Sequence, residues 1–198
     1  MTEKKLQHFY IAEEQSIYLL SHKDAEKLKH WVELCKQQLG LLGYKNIALL
    51  GKGAYGFVFN GEDSQGQNLV FKFSRINLPQ HVQDRLSDEA DIQAELNHER
   101  IPKVIDYYKI KRQSILNMSR APGIDLEKYS HQNGPLAPEL VVHIALQLAD
   151  ILTYLRDSNN HIKAKPYVHG DIKPSNVVYD ESDGKVYLVD WGSSVTAQ

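Results

Sequence analysis

The sequence is poor in cysteine, in net charge and in long apolar runs, and each shortage excludes a class of protein. Its one cysteine, Cys35, cannot form an internal disulfide, and its helix-like apolar surroundings predict a buried thiol in a reducing compartment. With 23 Lys and Arg against 25 Asp and Glu, the chain lacks the one-signed charge that favours nucleic acid or acidic membranes, so we expect neither as a partner. Because the sequence after Met1 lacks the apolar core of a signal peptide and no apolar run reaches about 18 residues, we expect a soluble, cytoplasmic protein.

The 198 residues, 42% of them hydrophobic, suit one compact domain or two small lobes, and their pattern changes near residues 43 and 119. In the first region, 1–43, apolar segments at 9–11 and 17–20 predict a hairpin. A helix follows, which we expect to begin at Ser21 and Asp24 and to end at Gly40. One face of this helix is apolar, which favours docking onto the same molecule over a partner site: Leu28, Trp31, Val32, Cys35 and Leu39.

The second region, 44–119, has the pattern of an antiparallel sheet with one helix. Apolar segments at 47–50, 57–59 and 69–73 are separated by glycine-containing turns, and segments at 104–108 and 114–118 predict two more strands. Between them, apolar residues at helical spacing predict one helix from Gln80 to Asn97. The expected fold class is therefore α+β, with a five-stranded antiparallel sheet.

The third region, 120–198, contains the most apolar helix of the sequence, predicted over 138–157. Its polar residues form one narrow stripe, which includes His143, Gln147 and Asp150, so we expect the helix to be packed on most of its sides. Two short strands, at 177–179 and 186–189, are predicted after it.

Three glycines, Gly51, Gly53 and Gly56, lie between the first two strands. They can simply form a turn, but a strand follows them where a dinucleotide-binding fold requires a helix. This context favours a flap whose backbone N–H groups cover phosphates. Lys72, between Phe71 and Phe73 in the third strand, points to the opposite face from these neighbours and could also be an ordinary surface lysine.

The segment His169–Asn176, followed fourteen residues later by Asp190, has the side chains that phosphoryl transfer requires. Asp171 can accept or orient a proton, and Lys173 can neutralise a transferring phosphoryl group. Asn176 and Asp190 offer hard oxygen ligands that suit Mg²⁺ together with nucleotide phosphates. Zinc is not indicated, because the cysteine and the histidines lack ligand spacing. The alternative interpretation is a solvated loop.

Residues 44–198 resemble the protein kinase superfamily, in its eukaryotic-type Ser/Thr branch. Four motifs agree in order and spacing: the glycine-rich loop, the third strand, the catalytic loop and the magnesium loop in its Trp variant. The matching residues are Gly51, Gly53, Gly56 and Val58, then Leu69–Lys72, His169–Asn176 and Asp190–Gly192. The resemblance implies a nucleotide-binding lobe over 44–119, an abbreviated and mainly helical second lobe over 120–198, and ATP and Mg²⁺ as cofactors.

The resemblance also implies a role for individual residues. Lys72 would hold the α and β phosphates of ATP, paired with Glu89 or, as the fallback, with Glu95. Around the adenine, the resemblance implies Val70 above the ring, Val178 below it and Met118 as the gatekeeper. It also implies a hinge that runs from Ser119 to Ala121, and Asp125 as the ribose contact.

Three departures from the family pattern carry expectations of their own. Val70 replaces a usual alanine and narrows the adenine pocket, and Gly170 replaces the arginine that would pair with a phosphorylated activation segment, so activity should not need that phosphorylation. Only Ser193–Gln198 follow the magnesium loop, so we expect a fragment or a minimal kinase. The helix over 138–157 would then need a cover: the N-terminal extension, another chain (a partner protein or another copy in an oligomer), or residues lost to truncation.

Three functions therefore remain in competition. The first is ATP- and Mg²⁺-dependent transfer to a Ser or Thr hydroxyl of a protein, including the chain itself. The second is a small-molecule phosphotransferase that resembles aminoglycoside or choline kinases, against which Lys173 argues. The third is a nucleotide-binding pseudokinase that acts as an interaction module.

Overall fold

The computed structural model describes residues 22–52, 56–74, 79–110, 113–161 and 163–197. The hairpin predicted over 9–20 lies outside these residues.

Helix α1 (His22–Leu41) packs through one face on the sheet of the first lobe. Val32, Cys35 and Leu39 are buried there, with Leu28 and Trp31 partly buried beside them, so the predicted docking face is confirmed. The predicted end at Gly40 is one residue early, because the chain reverses only at Gly43, whose φ of 93° lies in the left-handed region.

The predicted five-stranded antiparallel sheet is confirmed. Its strands are β1 (Lys45–Lys52), β2 (Gly56–Glu62), β3 (Asn68–Ser74), β4 (Val104–Ile110) and β5 (Gln113–Ser119), in the order β1-β2-β3-β5-β4. Alternation in β2 and β3 separates two faces. One face carries four buried phenylalanines under α1, Phe57, Phe59, Phe71 and Phe73. The other carries Val58, Val70 and Lys72.

The single helix predicted over 80–97 is wrong in its extent. The structure has a short helix α2 (Gln80–Gln83) and a longer helix α3 (Arg85–Ala94). At the junction the N–H of Ser87 bonds to the carbonyl of Asp84, three residues back, and at the far end Leu96 bonds in the same way to Gln93. Because the Asp84 carbonyl also accepts the Asp88 N–H, four residues on, α2 and α3 meet in a turn of mixed hydrogen bonds, and the tighter turn at Gln93 ends α3 before Asn97.

The second lobe is built around one long helix and short strands. Strand β6 (Ile124–Asp125) leads into helix α4 (Leu126–Asn133), and helix α5 (Pro138–Arg156) is followed by β7 (Tyr167–Val168). Strands β8 (Val177–Asp180) and β9 (Lys185–Leu188) form a hairpin that pairs with β6, and β10 (Val195–Thr196) pairs with β7. The hairpin predicted from the sequence is confirmed.

Among the described residues, helix α5 is covered on one side only, so within this part of the chain the expectation that it is packed on most of its sides is wrong. Ile144, Ile151 and Leu155 lie in the core of the second lobe. On the other side Val142 is 58% exposed and Leu146 is 64% exposed. Among the described residues α5 is also the one helix long and apolar enough to cross a membrane, by length and composition alone.

Candidate active site

Lys72 lies at the centre of an ion network that joins three elements. On β3 it pairs with Val58 of β2 and Leu116 of β5, and alternation directs its side chain away from the phenylalanines. Its Nζ lies 2.5 Å from Glu89 Oε1 on α3 and 2.7 Å from Asp190 Oδ1 in the loop after β9. The network therefore links the two lobes through one ammonium group.

Lys72 and Asp190 keep each other ionised. Burial by itself lowers the pKa of the Lys72 ammonium, but the carboxylates of Glu89 and Asp190 outweigh burial, and the pKa is raised above its ordinary value. The positive charge of Lys72 in turn holds the pKa of the Asp190 carboxyl below its usual range, against the opposing effect of burial. At neutral pH the site therefore contains a lysine cation and an aspartate anion.

Of the two glutamates considered from the sequence, the structure brings Glu89 to Lys72. Glu89 is 6% exposed on α3, and a Cβ at Gly192 would lie 3.3 Å from its Oε2, so the glycine leaves room for this close approach. Glu95 follows the end of α3 and forms an ion pair of 3.0 Å with Lys163 instead.

The catalytic-loop residues form a second network, in the second lobe. Lys173 Nζ lies 2.8 Å from Asp171 Oδ2, and the Asn176 side-chain amide donates to the Asp171 carboxylate at 3.0 Å and to its carbonyl at 2.9 Å. A 3₁₀ turn over Pro174–Asn176 brings these side chains together. Because the amide nitrogen of Asn176 is engaged in this way, its oxygen remains as the acceptor or ligand atom.

Buried His169 joins the backbone of the Asp171 loop to the backbone at Val189. Its ring, 1% exposed, lies 4.7 Å from the Trp191 ring, and its Nδ1 accepts the backbone N–H of Asp171. Its Nε2 bonds to the Val189 carbonyl at 3.0 Å, which requires a proton on that nitrogen. Burial lowers the pKa of His169, so the ring is neutral at pH 7.

Asn176 and Asp190 lie at the two ends of the β8–β9 hairpin, where the Val189 N–H bonds to the Asn176 carbonyl at 3.0 Å. Asp190 adopts a left-handed φ of 64° and is half-exposed. One carboxylate and one amide oxygen are the donors that suit Mg²⁺ with nucleotide phosphates. Within the described residues, no group of three or more His, Cys, Asp and Glu is arranged to hold a metal.

The glycine-rich turn is described at its two ends. Gly51 is paired with Val58 across β1 and β2, whereas Gly53 lies outside the described residues. A Cβ at Gly56 would lie 1.9 Å from the carbonyl oxygen of Phe73, so only glycine allows β3 to approach this closely.

The expected nucleotide contacts lie on β3, at the end of β5 and in the segment that follows β5. Val70 packs against the cluster that contains Met118, which is 5% exposed. Ser119 and Lys103 are joined twice, because the Ser119 N–H donates to the Lys103 carbonyl and the Ser119 hydroxyl accepts the Lys103 N–H. Arg120 bonds to the Asn68 carbonyl, and half-buried Ala121 follows it.

Asp125 and Val178 are neighbours, because β6 pairs with β8 at these two residues. The Asp125 carboxylate caps α4 by accepting the Lys128 N–H at 2.8 Å, and its other oxygen lies 2.9 Å from Lys128 Nζ. The residue expected to contact ribose is thus already held by a helix N-terminus.

Two glutamines that support the site were not singled out from the sequence as site residues. Gln93, one turn after Glu89 on α3, donates to the Pro102 carbonyl at 2.6 Å and contacts Met118 Sδ at 3.8 Å. Gln147 on α5 donates to the Gly184 carbonyl at 2.8 Å and accepts the Val186 N–H at 3.1 Å, which clamps the β8–β9 hairpin. The signal for Gln147 was its place in the polar stripe of an apolar helix.

Comparison with known proteins agrees with this geometry. A sequence model described as "Protein kinase domain" matches residues 44–198. The chain is 31% identical over 154 residues to serine/threonine-protein kinase PknD of Mycobacterium tuberculosis, a match that covers 75% of this chain and 22% of that protein. It is 32% identical over 160 residues to PknA of a Nostoc species, covering 76% and 27% respectively. The chain thus spans about a quarter of the length of these relatives, and it belongs to the protein kinase superfamily.

Proposed function

We propose that this chain is an ATP- and Mg²⁺-dependent kinase that phosphorylates Ser or Thr hydroxyls of proteins, its own residues included. The observation that carries the proposal is the bridge from Lys72 to both Glu89 and Asp190, at 2.5 and 2.7 Å, next to the Asp171 network. Phosphoryl transfer depends mainly on positioning and on charge stabilisation, and these two networks supply both. The serine/threonine kinases among its relatives support the choice of hydroxyl.

In this proposal the first lobe and the β8–β9 hairpin hold the nucleotide. Lys72, kept charged by its neighbours, binds the α and β phosphates, and the turn from Gly51 to Gly56 covers them. Asn176 and Asp190 would hold the metal. A Mg²⁺ ion held there would supply positive charge that stabilises the negative charge developing on the phosphates during transfer.

Asp171 acts on the hydroxyl that receives the phosphate, and Lys173 acts on the phosphoryl group that is transferred. The Asp171 carboxylate orients the Ser or Thr hydroxyl and accepts its proton as the hydroxyl oxygen bonds to the γ-phosphorus. The bond from that phosphorus to the β–γ bridging oxygen breaks, which leaves ADP. Lys173, 2.8 Å from Asp171, neutralises the transferring phosphoryl group, while Asn176 fixes the carboxylate.

The geometry at Gly170 supports activity without phosphorylation of the following segment. Gly170 has a φ of 81°, and a Cβ there would lie 2.5 Å from the Ser193 carbonyl oxygen. An arginine at this position would be strained and would displace the backbone at Ser193. The chain therefore replaces a charge-based contact with a close backbone approach.

The test is a thermal-shift titration with Mg²⁺·ATP together with transfer of labelled γ-phosphate to a protein mixture and to the chain itself. Wild type should be stabilised, by about 2.7 kcal/mol at a hundredfold excess over Kd, and should transfer label. Lys72→Ala and Asp190→Ala should lose the stabilisation, whereas Asp171→Ala should keep it and lose transfer.

Other results would favour the competing functions. Nucleotide binding with no transfer to any protein would contradict the proposal and favour a pseudokinase. Transfer to an aminoglycoside or to choline, but to no protein, would favour the small-molecule phosphotransferases. A cytoplasmic location, a protein partner and an oligomer formed through the exposed face of 138–157 stay predictions.

A further inference from the structure

Helix α1 precedes the residues that match the protein kinase domain, yet it is part of the core of the first lobe. The match begins at residue 44, whereas Cys35 is 1% and Leu39 is 0% exposed in the cluster that contains the sheet phenylalanines. The helix covers the face of the sheet opposite Lys72. It is therefore placed to act on the nucleotide side through the strands themselves.

One contact of α1 lies at the start of β2, directly after Gly56. The Trp31 ring lies 4.6 Å from the Phe57 ring at an interplanar angle of 59°, and Phe57 is the residue directly after Gly56. The tilted geometry is one that aromatic pairs prefer. Phe57 is 1% exposed, so its ring is enclosed between the helix and the sheet.

The start of β2 is thus held on two sides. On one side Trp31 packs against Phe57. On the other, Gly56 lies so close to β3 that a Cβ would meet the Phe73 carbonyl oxygen at 1.9 Å. Val58, the residue after Phe57, pairs with Lys72 of β3. The contact with Trp31 therefore acts on the backbone of Gly56–Val58, which lies beside the lysine proposed to bind phosphate.

We propose that Trp31 is a positioning residue that holds the start of β2, Gly56–Val58, in place beside β3 and so sets the affinity for nucleotide, although it lies on the far face of the sheet. This inference rests on the proposed function, because it concerns the same nucleotide site. Without the ring contact the start of β2 is held less firmly beside Lys72, so part of the binding free energy is spent on immobilising it, which weakens binding. The transfer step depends on Asp171, Asn176 and Asp190 in the second lobe and should be unaffected.

The experiment compares variants of α1 in the full chain. Trp31→Leu should raise both the Kd and the KM for Mg²⁺·ATP by about threefold to tenfold, the effect of losing one aromatic contact, and should leave kcat within about twofold. Trp31→Phe, which retains a ring, should restore most of the affinity. Leu34→Ala, at an exposed position of the same helix, should change neither constant.

A second control separates positioning from general loss of stability. Leu39→Val shortens a fully buried side chain two turns further along α1, so it should lower the melting temperature without changing the KM. Hydrogen exchange of the amides of Phe57 and Val58 should become faster in Trp31→Leu but not in Leu39→Val. This readout needs no nucleotide and no activity.

Three results would overturn the inference. If Trp31→Leu changes neither the Kd nor the exchange rates, the contact only stabilises the fold. If the KM rises equally in Trp31→Leu and Leu39→Val, the rise reflects a general loss of stability and not positioning by Trp31. A wild type that binds no nucleotide would remove both this inference and the proposed function. A wild type that binds nucleotide but transfers nothing would contradict the proposed function alone, because the Kd and the exchange rates still test the role of Trp31.

Discussion

The two long helices of this chain show opposite relations between hydropathy and burial. Helix α1 is rich in charged residues, yet Leu39 and Cys35 are almost completely buried; helix α5 is the most apolar segment, yet Leu146 is 64% and Val142 is 58% exposed. The difference lies in what each helix faces. Helix α1 lies on an aromatic sheet face, whereas α5, in the part of the chain that the structure describes, meets the β8–β9 hairpin on one side and no cover on the other.

The helices are alike in one respect, because each one holds a hairpin that carries site residues. Helix α1 contacts β2 next to the glycine-rich turn, through the apolar contact of Trp31 with Phe57. Helix α5 clamps β8–β9 through hydrogen bonds of Gln147, at 2.8 and 3.1 Å. One helix therefore works by ring packing and the other by an amide that satisfies two backbone groups.

The largest effect should come from the buried leucine of α1. Leu39→Ala should lower the free energy of unfolding by about 2–5 kcal/mol, because it leaves a cavity in the phenylalanine cluster. Urea unfolding followed by circular dichroism measures the change. A loss below about 1 kcal/mol would mean that α1 does not share the cooperative core of the first lobe.

The clamp on the β8–β9 hairpin should give the next effect. Gln147→Leu leaves the Val186 N–H without its partner, and should lower the free energy of unfolding by about 1–3 kcal/mol. Because the hairpin carries Asn176 and Asp190, the Mg²⁺ concentration for half-maximal transfer should rise, with the KM for ATP unchanged at saturating Mg²⁺. Gln132→Leu, at an exposed position of α4, is the control and should change neither quantity. An unchanged Mg²⁺ dependence in Gln147→Leu would limit the clamp to a structural role.

The ion pair between the lobes should show itself in the pH dependence of stability. The pKa of Asp190 is depressed, mainly by the charge of Lys72, so its contribution is present above the unfolded pKa of about 3.9 and is lost as the pH falls through the folded value. The free energy of unfolding of wild type should therefore fall between about pH 5 and pH 2. Lys72→Met should make this fall shallower, and Lys109→Met, at an exposed lysine of β4, should not. Equal slopes in wild type and Lys72→Met would contradict the assignment.

Much of the fold could be predicted from the sequence because its signals are local. Alternating residues in β3 and glycines between strands fixed the sheet, and the spacing of His169, Asp171 and Asn176 indicated one loop. The break near Asp84 could not be predicted, because it depends on a choice between hydrogen bonds to the third and fourth preceding residues. The clamp of Gln147 joins residues 39 positions apart, and a pattern along the chain does not contain such pairings.

The smallest effect should come from Leu146, the exposed leucine of α5. The substitution is the same as at Leu39 of α1, leucine to alanine, so the two results compare the burial of the two helices directly. Leu146→Ala removes a side chain that is 64% exposed and introduces a better helix former, so the free energy of unfolding should change by no more than about 0.5 kcal/mol. Dilute protein is required for this measurement, because association through this face would bury Leu146. If the melting temperature of wild type rises with concentration and that of Leu146→Ala does not, a second copy covers α5. The apolar face of each helix would then be buried, that of α1 by the sheet of its own chain and that of α5 by another molecule.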